Sequence, residues 1–203
     1  MTSRLVLRRR GLLPAVGVGL ALVSLGCDGA VPDAPGVEPP PPVPAAEGAP
    51  GPGLGQVTGS ARAATGVVLS IVLLEPHTEV NVPVPERAAT MDQLGRQFVP
   101  GFILVRAGQT VNFRNSEDDL HTVHVKDSAG ESLFNVATMY GSTYEYTFEL
   151  GDEYTVVCNT HTEMFADIMV VDTPYAVIAG RDGSFAIPNV VPGAYTATMI
   201  HGE

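Results

Sequence analysis

Cys158, His161 and Met164 follow one another at three-residue intervals in the run Tyr154-Thr-Val-Val-Cys158-Asn159-Thr160-His161-Thr162-Glu163-Met164. A thiolate, an imidazole and a thioether are soft or borderline ligands that suit copper. A trigonal set of one cysteine and two histidines with a weak axial methionine is the arrangement of an electron-transfer copper site. The apolar, β-branched residues before Cys158 read as a strand, and the residues after it as a tight loop. That loop has one histidine, so the second imidazole has to come from a distant strand packed beside it.

His121 is the candidate. In His121-Thr122-Val123-His124-Val125 the period of two puts His121, Val123 and Val125 on one face, and Thr122 and His124 on the other. If the valines face the core, His121 is partly buried at the end of its strand and His124 is exposed. The alternation therefore selects His121 over His124. Each residue alone has a plainer role, since a lone strand cysteine or methionine is usually packing. Zinc could also take a Cys-His-His set, but structural zinc sites close with a fourth cysteine or histidine, not a methionine. The order of all four residues favours copper, bound by His121, Cys158, His161 and Met164. His77 and His201 have no partner pattern and are expected on the surface.

These ligands need a rigid frame, and the texture from Gln56 onward is β. Val67–Leu74 is a run of buried-strand type. Phe98, Phe102–Val105, Thr110–Arg114, His121–Val125, Tyr144–Phe148, Glu153–Val157 and Ile168–Val171 continue a series of short strands. Ala107-Gly108, Gly151-Asp152 and Asp182-Gly183 mark turns between them. Nothing after residue 27 reads as a long amphipathic helix, so the expected architecture is an all-β sandwich or barrel over residues 56–172.

The residues quoted so far resemble the cupredoxin superfamily, whose small electron carriers include plastocyanin and pseudoazurin. There an upstream strand with "Asn…His-x-Val" gives the first histidine, and a "Tyr-x-x-x-Cys-x-x-His" loop ending in methionine gives the other ligands. The pattern falls on Asn115, His121 and Val123, then Tyr154, Cys158, His161 and Met164. The likeness is strongest to plastocyanin-like methylamine utilisation proteins, in Met91-Asp92-Gln93, Phe98-Val99-Pro100, Cys158-Asn159-x-His161-x-x-Met164 and Asp172-Thr173-Pro174-Tyr175. It implies a Greek-key cupredoxin β-sandwich and a blue copper centre with one Cu(I)/Cu(II) ion. Thr122 departs from the asparagine that commonly follows the first histidine and helps brace the ligand loop. The loop from Cys158 to Met164 is also shorter than in plastocyanin.

Residues 173–203 form a separate β segment. Asp182-Gly183-x-Phe185-x-Ile187 and Val190-x-x-Gly193-x-Tyr195 resemble the last strands of the carboxypeptidase regulatory-like domain, about half of such a module. An isolated hairpin is marginal, so the segment must pair either with the stretch around Val57–Leu74 or with the edge of the cupredoxin sheet.

At the other end, Arg4, Arg8, Arg9 and Arg10 precede an apolar stretch, Gly11 to Leu25, in the pattern of a secretory signal. Val23-Ser24-Leu25-Gly26-Cys27 resembles a bacterial lipobox, with Cys27 as the lipidated residue. Ordinary cleavage nearby is the alternative. Residues 28–55 carry nine of the 17 prolines, mixed with alanine and glycine, and read as a disordered tether. All 22 acidic residues lie after residue 27, and four of the 11 basic ones before it. An exported chain would carry 22 acidic against 7 basic residues, a net charge of −15. Such a surface disfavours nucleic acid and suits a basic partner or plain solubility.

Cys158 is flanked by Val157 and Asn159. The His-Cys-His bridge that links a mononuclear copper to a catalytic cluster in multicopper oxidases is therefore missing. There is no Ser-His-Asp order, HExxH helix or glycine-rich phosphate loop either. The expectation is a non-enzymatic single-electron carrier, exported to the periplasm or cell envelope and lipid-anchored. Its partner would be a redox protein such as a cytochrome c or a copper oxidoreductase. Copper handling without a redox partner, or a metal-free structural surface module, are the other readings.

Overall fold

Burial along the chain follows the alternation that the sequence carries. In the strand His121–Lys126 the first, third and fifth residues are buried and the others half-buried. In Gln109–Asn115, Val111, Phe113 and Asn115 face inward. The computed structural model describes residues 51–66 and 68–202, and every regular element among them is a strand. In chain order these are β1 (Gly55–Ser60), β2 (Leu69–Pro76), β3 (Ala89–Gln93), β4 (Phe98–Val99), β5 (Phe102–Arg106), β6 (Gln109–Asn115) and β7 (His121–Lys126). There follow β8 (Ser132–Thr138), β9 (Thr143–Phe148), β10 (Asp152–Val157), β11 (Phe165–Val171), β12 (Tyr175–Ile178), β13 (Ser184–Val190) and β14 (Tyr195–Gly202).

Two of the four sheets form the central sandwich. One has the order β4-β3-β6-β9 and the other β5-β11-β10-β7-β8. The pairs β3–β6 and β5–β11 are parallel and the rest antiparallel. Their inner faces share one core, in which Met91, Val111, Phe113 and Phe148 from the first sheet meet Val105, Val123, Val156, Ala166 and Ile168 from the second. Aromatic rings close its flank: Phe134 packs on Tyr146 at 4.6 Å, Tyr146 on Phe148 at 4.9 Å and Phe148 on Tyr154 at 4.8 Å. Such edge-on and tilted pairs each add about 1 kcal/mol beyond the area they bury. The chain is thus an all-β sandwich.

The other two sheets tie the N-terminal strands to the C-terminal segment. β2 lies between β12 and β14, and β1 pairs with β13. The sequence leaves two partners open for residues 173–203, and the ladders run to β1 and β2. The first two strands of the stretch 56–172 thus hydrogen-bond to the C-terminal strands. The reason lies in β2, which is apolar on both faces and needs cover on both. Val72 and Leu74 pack with Tyr175, Ile187 and Val190. Ile71 and Leu73 turn the other way, against Met169, Val171, Phe102 and Leu104 on the outer face of the five-stranded sheet. The sandwich's outer face is therefore covered by a third layer.

Just beyond the β1–β13 ladder the two segments run close together at Gly183, whose φ is +89°. Its carbonyl accepts a hydrogen bond from Ala61 N–H at 2.7 Å. A Cβ at this position would press into the Ala61 carbonyl group. Gly130 has a similar φ of +85°, with nothing within 4 Å of such a Cβ. Both Gly→Ala changes should bring left-handed backbone strain of about 1 kcal/mol. Gly183→Ala should lose clearly more stability than Gly130→Ala in urea unfolding. Equal losses would mean that the two segments do not approach as described.

Candidate metal centre

Asn115, at the end of β6, organises the loops at one end of the sandwich. It is fully buried. Its Nδ2 donates to the carbonyls of Asp119 and Thr138 at 2.8 and 2.9 Å, and its Oδ1 accepts from Glu117 N–H at 2.8 Å. Its backbone bonds to Ser142 and Gly141. One side chain therefore joins the loop before β7, the end of β8 and the turn into β9. Gln93, also buried, accepts from the Thr138 hydroxyl at 2.6 Å and donates to the Thr122 carbonyl. The start of β7, where His121 stands, is thus fixed from two sides.

β10 pairs with β7 in the register Val157↔His124 and Val156↔Val125. That register brings Cys158, just past the end of β10, alongside the first residues of β7. The loop after it is closed by Cys158 N–H bonding to the Met164 carbonyl at 3.2 Å and Met164 N–H to the His161 carbonyl at 3.0 Å. Thr122 reaches across. Its N–H and hydroxyl donate to Cys158 Sγ at 3.4 and 3.7 Å, and its Oγ1 accepts from Asn159 N–H at 2.6 Å. The threonine that stands in place of the usual asparagine braces both the sulfur and the loop.

His121, Cys158 and His161 come together as the sequence expects, with their donor atoms all within 4.8 Å of one another. Cys158 Sγ lies 3.8 Å from His121 Nδ1 and 4.0 Å from His161 Nδ1, and the two Nδ1 atoms are 3.0 Å apart. A point equidistant from the three atoms of this triangle is about 2 Å from each, which is a first-row metal–ligand bond length. His121 and Cys158 are buried and His161 is half-buried. Met164 is buried in the same core cluster as Cys158. Two imidazoles, one thiolate and a neighbouring thioether fit copper by donor chemistry. Among the described residues no fourth histidine, cysteine or carboxylate joins the three to complete a structural zinc set.

Outside this triangle lie the other residues singled out in the sequence. His124 points to the opposite strand face, where it contacts Asn159 Oδ1 and the Ser132 hydroxyl. Glu163, the carboxylate beside Met164, is exposed and outside the donor group. His77 is exposed, while His201 is half-buried and bonded to the Ser70 hydroxyl at 2.7 Å. Cys27 lies outside the described residues. One contact escaped the sequence reading: Glu117 Oε2 sits 3.1 Å from His121 Nε2. Its only signal was an acidic residue four positions before the ligand, in the run Glu117-Asp118-Asp119.

Burial by itself would raise the pKa of the Cys158 thiol. Hydrogen bonds at the sulfur, led by the N–H groups of Thr122 and His161, outweigh it and bring the pKa from 9.0 to about 6. The sulfur is therefore a thiolate at neutral pH, the form that ligates metal. Because the folded value is the lower one, the thiolate stabilises the metal-free fold fully above the unfolded thiol's pKa, and that contribution is lost as pH falls through about 6. The thiolate ultraviolet absorbance of the metal-free protein should titrate with a midpoint near 6. Thr122→Val, which keeps the N–H and removes the hydroxyl, should move the midpoint upward. A midpoint near 9 in the unaltered protein would contradict this geometry.

Residues 86–171 match the family model of copper-binding proteins of the plastocyanin/azurin family. No curated protein matches the chain in sequence. Similar solved structures include amicyanin from Paracoccus versutus, at 21% identity over 48% of this chain and 97% of that one, with a TM-score of 0.39. A purple cupredoxin from Nitrosopumilus maritimus is 21% identical over 41% of this chain and 99% of that one, with a TM-score of 0.38. A copper-containing nitrite reductase from Thermus scotoductus is 24% identical over 49% of this chain but only 26% of its own, with a TM-score of 0.41. The match to this family runs from just before β3 to the end of β11 and takes in His121, Cys158, His161 and Met164.

Proposed function

We propose that the chain is an exported single-electron carrier that holds one copper ion through His121, Cys158 and His161, with Met164 as the weak axial ligand. The observation that carries the proposal is the triangle of a thiolate and two imidazole nitrogens, buried on the Cys158 and His121 sides. Copper in such a set supplies a one-electron couple. The chain's own residues do the rest. The β7–β10 ladder and the Thr122 bonds keep the donors at fixed separations, so little rearrangement accompanies a change of charge. The surrounding core keeps water from the sulfur.

The end of the sandwich that carries His161 supports docking of a redox protein. Leu94, Leu120, Met139 and Tyr140 are all more than half exposed there. They stand on the turn after β3, just before β7 and on the turn after β8, the loops that meet around Asn115 and Gln93. Exposed apolar groups gathered beside a half-buried ligand suit a transient partner. Glu117, Asp118 and Asp119, just before β7, and the exposed Glu163 in the loop after Cys158 give these loops an acidic excess, which favours a partner with a basic surface. A cytochrome c or a copper oxidoreductase has the required chemistry.

Cys158→Ser should abolish the strong sulfur-to-Cu(II) charge-transfer colour of the copper-loaded protein, and His124→Ala should leave it intact. Met164→Gln should keep copper bound but lower the reduction potential and alter the colour, because the axial ligand tunes both. Glu163→Gln should change neither. Visible spectra and voltammetry of the four variants check this. Colour that survives in Cys158→Ser, or that is lost equally in His124→Ala, would sink the assignment.

Export and anchoring belong to the same proposal and rest on the basic and apolar leader that ends at Cys27. With a lipid on Cys27, residues 28–55 would hold the sandwich away from the membrane. Cys27→Ala should leave the protein unlipidated and move it to the soluble fraction. A variant that stays in the membrane at wild-type abundance would remove the lipoprotein reading.

A further inference from the structure

His121 is fully buried, and its two ring nitrogens have different company. Nδ1 faces Cys158 Sγ at 3.8 Å and His161 Nδ1 at 3.0 Å. Nε2 faces Glu117 Oε2 at 3.1 Å. A carboxylate can only accept, so Nε2 carries a proton in this pair, and in the neutral ring that tautomer leaves the Nδ1 lone pair toward the other donors. We propose that Glu117 is a positioning residue for the copper centre. Its carboxylate fixes the ligating tautomer and ring orientation of His121, and places a negative charge behind that imidazole that favours the oxidised metal.

The carboxylate is itself held in place. Its Oε2 also accepts from the backbone N–H of Arg96 at 2.9 Å. Its own N–H is anchored on Asn115 Oδ1 at 2.8 Å. Arg96 lies in a two-residue turn between β3 and β4, where its φ is +53°, a left-handed conformation that a non-glycine residue adopts at some cost. Its guanidinium is tied to Asp119 at 3.0 and 3.3 Å, next to the same loop. Two loops therefore converge on one oxygen, and that oxygen has one further contact, the buried ring of His121. A surface ion pair would have no need of a strained turn or a shared acceptor. A backbone carbonyl could orient the ring equally well but would bring no full charge. A charge held across an imidazole from the metal stabilises the higher oxidation state through a medium of low dielectric.

This rests on the copper reading above, and one part of its test needs no copper. In metal-free protein labelled with nitrogen-15 at histidine, the His121 ring should show a protonated Nε2 and an unprotonated Nδ1. Glu117→Gln should keep that tautomer, because an amide oxygen can still accept, and Glu117→Ala should lose it to a mixture. In the copper-loaded protein, Glu117→Gln should raise the reduction potential and weaken Cu(II) binding about tenfold by competition titration, the lower end of what outer partners of metal-bound histidines contribute. Asp118→Asn removes the same charge from the exposed neighbour and should raise the potential distinctly less. An unchanged tautomer in Glu117→Ala would overturn the positioning role. Equal potential shifts in Glu117→Gln and Asp118→Asn would overturn the specific charge effect. If the unaltered protein bound no copper, the copper reading would fail on its own, and the tautomer measurement would still decide whether Glu117 orients His121.

Discussion

Three metal-seeking atoms are kept within 4.8 Å of one another in a place where two of their side chains lack water. Left to themselves, a thiolate and two imidazoles would separate and hydrate, since a buried polar atom without a partner costs several kcal/mol. The fold prevents this by attaching them to elements that cannot part independently. His121 opens β7, Cys158 follows β10, and those two strands are hydrogen-bonded neighbours in the middle of a five-stranded sheet. Thr122, one residue past the first ligand, gives its N–H and hydroxyl to the sulfur and takes a hydrogen bond from Asn159. The same residue lowers the thiol pKa and locks the loop. Affinity for metal and rigidity thus come from one set of bonds.

The ligand loop is in effect the connection of a β10–β11 hairpin, closed by the pairing Val157↔Phe165. β11 is gripped on both faces. Ile168 and Val170 lie in the sandwich core, and Met169 and Val171 pack against the sheet formed by β2, β12 and β14. The C-terminal layer therefore stabilises the strand that leads directly out of Met164. It also hides an apolar sheet face that would otherwise be open to aggregation. At the opposite edge of the site, Asn115 and Gln93 satisfy the polar groups of three loops without exposing the core.

The candidate donors were legible because each obeys a local rule. The period of two in β7 separates His121 from His124, and Cys158, His161 and Met164 lie within seven residues of one another. The strands with strong alternation, β6, β7 and β10, were equally readable. β8 was not, because Ser132, Asn135 and Ala137 dilute its pattern and its apolar residues are only partly buried at a sheet edge. The partner of β2 was left open, since an apolar run shows that a strand needs two covered faces but not what covers them. Glu117 was missed for a related reason. Its role depends on the approach of Arg96, 21 residues earlier, and on which nitrogen of His121 faces the sulfur. Neither follows from spacing.

In the proposed centre one copper ion is held by a single sulfur and two imidazole nitrogens on these elements. X-ray absorption at the copper edge of the loaded, full-length chain tests it most directly, because it counts the atoms around the metal. One strongly scattering sulfur at short distance with two imidazole nitrogens, at one copper per chain, is the expected result. A first shell of only nitrogen and oxygen would contradict the account, since Cys158 would then lie outside the coordination sphere that the fold is built to enclose.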